Sequence, residues 1–137
     1  AGTGSVGIEA LSRGASKVMF IDLDRMAIKT IHTNLDLTGL QTNATVRRTD
    51  ALTLLKQPPP MQFNYIYVAP PQYKDLWAET MKTLDSHPIW LSTHTKVIVQ
   101  IDPKERFNIP LQNLQEYDTR IYGKTLLWFF NVKSSES

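Results

Sequence analysis

The 137-residue sequence predicts an α/β fold: a mostly parallel sheet covered by helices on both faces and closed by an antiparallel hairpin. Three observations carry that prediction. Short apolar stretches, the continuous run Val18-Met19-Phe20-Ile21 and the segment Phe63 to Val68, have the pattern of strands buried on both faces. Segments with apolar residues at helical spacing alternate with those runs, as in a parallel sheet with crossover helices. Two further strand-like stretches, Leu114 to Tyr122 and Lys124 to Val132, meet at Gly123, which reads as a tight hairpin turn.

The elements follow in order. Ser5 to Arg13 reads as a short helix ended by Gly14, a residue suited to the left-handed position after a helix. The strand Val18 to Ile21 follows. Asp24 to Thr38 carries Met26, Ala27, Ile28, Ile31, Leu35 and Leu37 near helical spacing, and Gly39 stops it. Ala44 to Arg48 is a short strand, and Asp50 to Lys56 a short helix with Asp50 as a candidate N-cap. After Pro58-Pro59-Pro60 comes the strand Phe63 to Val68. Tyr73 to Leu84 places Leu76, Trp77, Thr80, Met81 and Leu84 on one helical face. Lys96 to Ile101 is a strand, and the hairpin closes the chain.

The chain opens directly on a glycine loop at Ala1-Gly2, which ordinarily follows a central strand. The expectation is therefore one domain over residues 1–137 that lacks its first central strand and upstream segment. Without that strand its two neighbours would expose unpaired backbone groups.

Apolar residues make up 42% and charged residues 20%, ordinary values for a globular domain. No apolar run approaches the ~18 residues of a membrane helix, and no signal-peptide pattern opens the chain. The absence of cysteine excludes disulfides, thiolate metal sites and a Cys nucleophile. His32, His87 and His94 show no metal-ligand spacing, so no metal is expected. A net charge of +2 permits nucleic-acid binding without requiring it.

Four motifs bear chemistry. Gly2-Thr3-Gly4-Ser5-Val6-Gly7 fits G-x-G-x-x-G, in which glycines allow a tight turn and close ligand approach ahead of a helix N-terminus. It also fits a strand–helix turn with no ligand. Asp22 ends a buried strand 20 positions after Gly2, where a carboxylate can accept hydrogen bonds from both hydroxyls of a ribose. Asp50, in Thr49-Asp50-Ala51, faces the same crevice and suits either an adenine amino group or a helix cap. In Val68-Ala69-Pro70-Pro71-Gln72-Tyr73 the two prolines stiffen the backbone so that its carbonyls point predictably, and Tyr73 suits stacking on an extruded base. The same prolines suit a plain strand stop.

Taken together, these residues resemble the RsmD-type family, S-adenosylmethionine-dependent enzymes that methylate the amino group of a guanine in small-subunit ribosomal RNA. The similarity begins with Ala1-Gly2-Thr3-Gly4-Ser5-Val6-Gly7-Ile8-Glu9-Ala10-Leu11-Ser12-Arg13-Gly14-Ala15. It continues through Phe20-Ile21-Asp22, Asn34-Leu35, Thr49-Asp50-Ala51 and the Pro-Pro motif to Arg120-Ile121-Tyr122-Gly123-Lys124-Thr125-Leu126-Leu127. The resemblance implies a Rossmann-like class I methyltransferase fold with a seven-stranded sheet. It implies S-adenosyl-L-methionine as cofactor, held by Gly2, Thr3, Gly4, Asp22, Asp50 and Ala51. It implies catalytic roles for Ala69, Pro70, Pro71 and Tyr73. The implied partner is ribosomal RNA or a small-subunit precursor, in the cytoplasm.

The family motif is Asp-Pro-Pro followed by Tyr or Phe, and here Ala69 stands at the acid's position, with Gln72 before Tyr73. Two other functions therefore stay open. A cofactor-binding module with weak or lost catalysis fits Ala69. A nicotinamide-dependent oxidoreductase fits the glycine loop and Asp22 equally well, although no Tyr-x-x-x-Lys pair of the short-chain reductase kind is present.

Overall fold

A computed structural model describes residues 17–22, 24–69 and 76–133. Among them, six strands form one sheet in the order β2-β1-β3-β4-β6-β5. The strands are β1 (Val18–Asp22), β2 (Ala44–Arg48), β3 (Tyr65–Ala69), β4 (Lys96–Ile101), β5 (Leu114–Tyr122) and β6 (Thr125–Val132). The helices are α1 (Arg25–Thr38), α2 (Ala51–Leu55) and α3 (Leu76–Asp85). Strands β1 to β4 run parallel, whereas β6 is antiparallel to both β4 and β5. This is the mixed, mostly parallel sheet that the alternation predicts, and the Rossmann-like fold that the resemblance implies, with six strands among the described residues where the resemblance implied seven. The helix expected over Ser5 to Arg13 lies outside the described residues.

Two expectations change. The anticipated gap in the sheet is closed: β1 and β3 pair directly, from Val18 opposite Tyr65 to Asp22 opposite Ala69. Parallel pairing satisfies the very backbone groups that a missing strand would have left open. The apolar face of α1 is also narrower than its composition suggests. Ile31 and Leu35, one turn apart, are buried, while Met26 and Leu37 are 66% and 80% exposed. At 3.6 residues per turn those two fall on the outward side of the helix.

Local chemistry sets the element ends. The Asp24 side chain caps α1 by accepting from the Met26 N–H at 3.0 Å. Gly39 ends α1 in the left-handed conformation (φ +70°), and the Leu40 N–H reaches back to the Leu35 carbonyl at 3.1 Å. Gly123 turns the hairpin with φ +60°.

The sheet separates two cores. On one face Met19, Ile21, Ile66 and Val97 pack under α2 and α3, against Leu55, Trp77, Met81 and Trp90. On the other, Val18, Phe20, Tyr67, Ile98 and Phe129 pack with Ile31 and Leu35 of α1. The three tryptophans are all buried, and each indole N–H finds an acceptor: Trp77 on the Glu105 carbonyl, Trp90 on the Leu55 and Gln57 carbonyls, and Trp128 on the Glu116 carboxylate. Asp85, at the end of α3 and 7% exposed, accepts backbone N–H groups from Gln112, Asn113 and Leu114 at 2.8, 2.7 and 2.8 Å. That nest fixes where β5 begins.

Candidate active site

Strands β1, β2 and β3 end side by side. Asp22, the last residue of β1, is the register partner of Arg48 on β2 and of Ala69 on β3. Neighbouring strands lie about 4.8 Å apart, so the three ends form one continuous carboxyl edge, the location where ligands bind in open α/β sheets.

Asp22 is half-buried there, and its Oδ1 accepts the Asp24 N–H at 2.9 Å, which fixes the carboxylate in a local turn. The Asp22 carbonyl accepts the Thr49 N–H at 3.2 Å and so ties together the exits of β1 and β2. Capping of α1 falls to Asp24 rather than Asp22.

Asp50 does cap a helix. Its Oδ1 accepts the Leu52 N–H at 3.0 Å and its Oδ2 accepts the Thr53 hydroxyl at 3.3 Å. It remains exposed, and each carboxylate oxygen has room for a second donor, so capping does not exhaust it. Ala51 opens α2 with its side chain 9% exposed in the core, so what it can offer a ligand is its backbone. Ala69 ends β3. Gly2, Thr3, Gly4, Pro70, Pro71 and Tyr73 lie outside the described residues.

The structure adds a pair that the sequence reading missed. Tyr67, two residues before Ala69 and buried, donates its hydroxyl to Oε1 of Gln100 on β4. Burial, and then the nearby Asp22 charge, push the Tyr67 phenol well above its ordinary value of 10.0. It therefore stays protonated and acts as a donor. Phe20 is the register partner of Tyr67, so Asp22 and Tyr67 share one face of the sheet. The available signal was Gln100 itself, a polar residue inside the apolar run Val97 to Ile101; that it meets Tyr67 depends on the β3–β4 register.

The edge continues through β4 to the hairpin. Ile101, at the end of β4, pairs with Leu126 on β6, so Gly123 and Lys124 stand at the same edge as Asp22. The histidines lie elsewhere: His32 and His94 are exposed, and Nδ1 of His87 sits 2.6 Å from the Thr83 carbonyl at the end of α3.

The chain is similar to known proteins in sequence and fold. The Ribosomal RNA small subunit methyltransferase D of Haemophilus influenzae is 35% identical over 104 residues, which are 74% of this chain and 53% of that protein. This chain spans about half the length of such relatives. A conserved hypothetical protein of Streptococcus pyogenes superposes with a TM-score of 0.76 at 24% identity, over 98% of this chain and 82% of that one. SMU.1697c of Streptococcus mutans, solved in complex with S-adenosylhomocysteine, shares the fold with a TM-score of 0.62 at 13% identity, over 96% of this chain and 84% of that one. Residues 1–131 match the family described as Conserved hypothetical protein 95, and the chain belongs to that family, the RsmD family.

Proposed function

We propose that this chain is the catalytic portion of an S-adenosylmethionine-dependent methyltransferase acting on the exocyclic amine of a guanine in small-subunit ribosomal RNA, in the cytoplasm. The observation that carries the reading is the strand register, which sets Asp22 beside Ala69 on one edge with Asp50 just beyond β2. The names of the relatives support the choice of reaction and substrate. They give the nicotinamide-dependent reading no support. Among the described residues no helix is long and apolar enough to cross a membrane.

The donor set fits the cofactor. A nucleoside presents hydroxyl and amino hydrogens, and this edge presents two carboxylates on neighbouring strand exits, one half-buried and locally fixed and one exposed. When bound, S-adenosylmethionine supplies a methyl group on a positively charged sulfur. Asp22 would accept the ribose hydroxyls and Asp50 the adenine amino hydrogen, with Gly2, Thr3, Gly4 and the Ala51 backbone beside them.

The target amine is a poor nucleophile because its lone pair is delocalised into the base. Acceptors that hold its hydrogens direct that lone pair, and positioning supplies much of the rate. Here the carbonyls of Ala69 and Pro70 would act as those acceptors, Pro71 would stiffen the turn, and Tyr73 would stack on the base. A second reading, a binding module without catalysis, is favoured by Ala69 alone, because the family's acid is missing.

Calorimetric titration with S-adenosylhomocysteine and with NAD tests the first part. Binding of the former and not the latter is expected, and the reverse result would discard the reading. Single-turnover methyl transfer to protein-free ribosomal RNA and to immature small subunits tests the second. Bound cofactor without any transfer would leave the binding module.

A further inference from the structure

We infer that the tip of the β5–β6 hairpin is a docking surface for single-stranded RNA flanking the target nucleotide; this rests on the methyltransferase reading above. Tyr122, the last residue of β5, is 58% exposed. Its neighbour Ile121, 62% exposed, points to the opposite face of the hairpin, so the tip leaves apolar surface uncovered on both faces. Two other exposed aromatics, one on each face of the sheet, have an evident use. Phe107 packs on the Trp77 ring at 5.0 Å, and Tyr117 meets the Phe129 ring edge-on at 5.9 Å. Tyr122 has no ring partner among the described residues, and its phenol lies against the Arg120 side chain.

The charges around the tip are arranged for a polyanion. Its carboxylates are occupied internally. Asp118 accepts from Nε of Arg120 at 3.2 Å and from the Thr119 N–H at 2.9 Å. Asp102 and Glu105 form a capping box on the turn that follows β4, accepting the Lys104 and Asp102 N–H groups at 2.8 and 3.2 Å. The cations stay outward. Lys104 and Lys124 are exposed, and neither ammonium has a hydrogen-bond or ion-pair partner among the described residues. Arg120 lies 5.1 Å over the Phe129 ring, held by Asp118 through Nε, with 54% of its side chain open to solvent. Held by Asp118 and lying against the Tyr122 phenol, the guanidinium still has further N–H groups to offer phosphate or base.

An aromatic flanked by outward cations is the chemistry that holds unpaired bases and their backbone. The hairpin also places it at the edge shared by Asp22 and Ala69, so RNA threaded past the site would meet it.

The test is fluorescence anisotropy of the full chain with protein-free small-subunit ribosomal RNA over a range of salt, for wild type, Tyr122→Ala, Tyr122→Phe and Lys124→Ala. Calorimetry with S-adenosylhomocysteine accompanies each variant. Tyr122→Ala should weaken RNA binding about tenfold or more, the loss of one stacked base, while Tyr122→Phe keeps wild-type affinity. Lys124→Ala should lower the slope of log affinity against log salt by about 0.7, one single-strand phosphate contact. Cofactor affinity should not move in any of them. Wild-type RNA affinity in Tyr122→Ala would overturn the inference. So would a defect seen only with assembled subunits and not with protein-free RNA, which would mean that the tip meets a protein. Loss of cofactor binding in the wild type would count against the methyltransferase reading instead, and the RNA arm would still decide the tip.

Discussion

At the β1–β2 end of the sheet's carboxyl edge, Asp22 ends β1 and Asp24 and Asp50 follow strand exits; at the β4–β6 end, Lys104 follows β4, Arg120 and Tyr122 close β5, and Lys124 sits in the hairpin turn. The acidic end is inwardly organised: Asp22 serves a local turn and Asp24 and Asp50 cap helices. The basic end turns its charges out and its carboxylates in. One edge thus offers acceptors suited to a nucleoside's hydroxyl and amino hydrogens at one side, with Arg48 beside Asp22, and mainly cations, suited to phosphates, at the other. The contrast teaches that a net charge of +2 says little about binding; the sorting of charges along the edge says more.

The largest effect is expected at the seam. Ala69→Asp should raise the single-turnover rate about 10²-fold, the scale of one aligned polar group in an active site. Because Asp22 is the register partner of position 69, like-charge repulsion should raise the proton affinity of the new carboxylate. The gain should therefore grow with pH. A rate that falls at every pH would mean the space is already filled, with Gln72 as the first suspect.

Asp22→Ala should weaken S-adenosylhomocysteine by about 1.5–3 kcal/mol and leave RNA affinity unchanged, the mirror image of Tyr122→Ala. If both ligands respond to both substitutions, the two halves are not separate. Next in size is Asp50→Ala, which removes an N-cap and should cost about 1 kcal/mol of stability, read as a lower denaturant midpoint. Asp50→Asn should restore most of that stability yet still bind cofactor more weakly; equal affinity in Asp50→Asn and wild type would assign Asp50 to capping alone.

The smallest effect lies in alkali. Burial, with help from Tyr65 and Asp118 and against Arg120, pushes the Tyr117 phenol from 10.0 up to about 12. The unfolded chain then loses its proton first, so stability is full below pH 10 and falls as pH rises from 10 to about 12. Tyr67, next to Asp22 rather than an arginine, is raised further, so its contribution extends to higher pH. Denaturant midpoints across that range should decline less steeply in Tyr117→Phe, and an unchanged slope would show that Tyr117 ionises as freely folded as unfolded.

Much of this was legible in the sequence, and for identifiable reasons. The apolar runs of β1, β3 and β4 betray burial on both faces, and Gly39 and Gly123 mark backbone that only turns of positive φ require. The inner place of β6 was also readable: Leu126 to Phe130 is apolar on both faces, whereas Gln115, Glu116, Asp118 and Arg120 mark β5 as an edge strand. That Asp22 and Asp50 stand at strand exits was legible because strand ends are local features. The direct pairing of β1 with β3 was not, because a parallel partner is chosen by contacts between segments more than forty residues apart. The Tyr67–Gln100 bond was missed for the same reason, since it exists only in one register of two strands.

Asp85 has a consequence for how this protein can vary. Its carboxylate gathers three successive backbone amides at the entrance to β5, and that grip, rather than the count of residues after β4, decides where the hairpin starts. The stretch from Asn108 to Leu111 can therefore be lengthened or shortened without sliding the hairpin along β4. Length changes there are absorbed as slack, and a family built on this scaffold is free to remodel that loop while the tip keeps its address at the sheet edge.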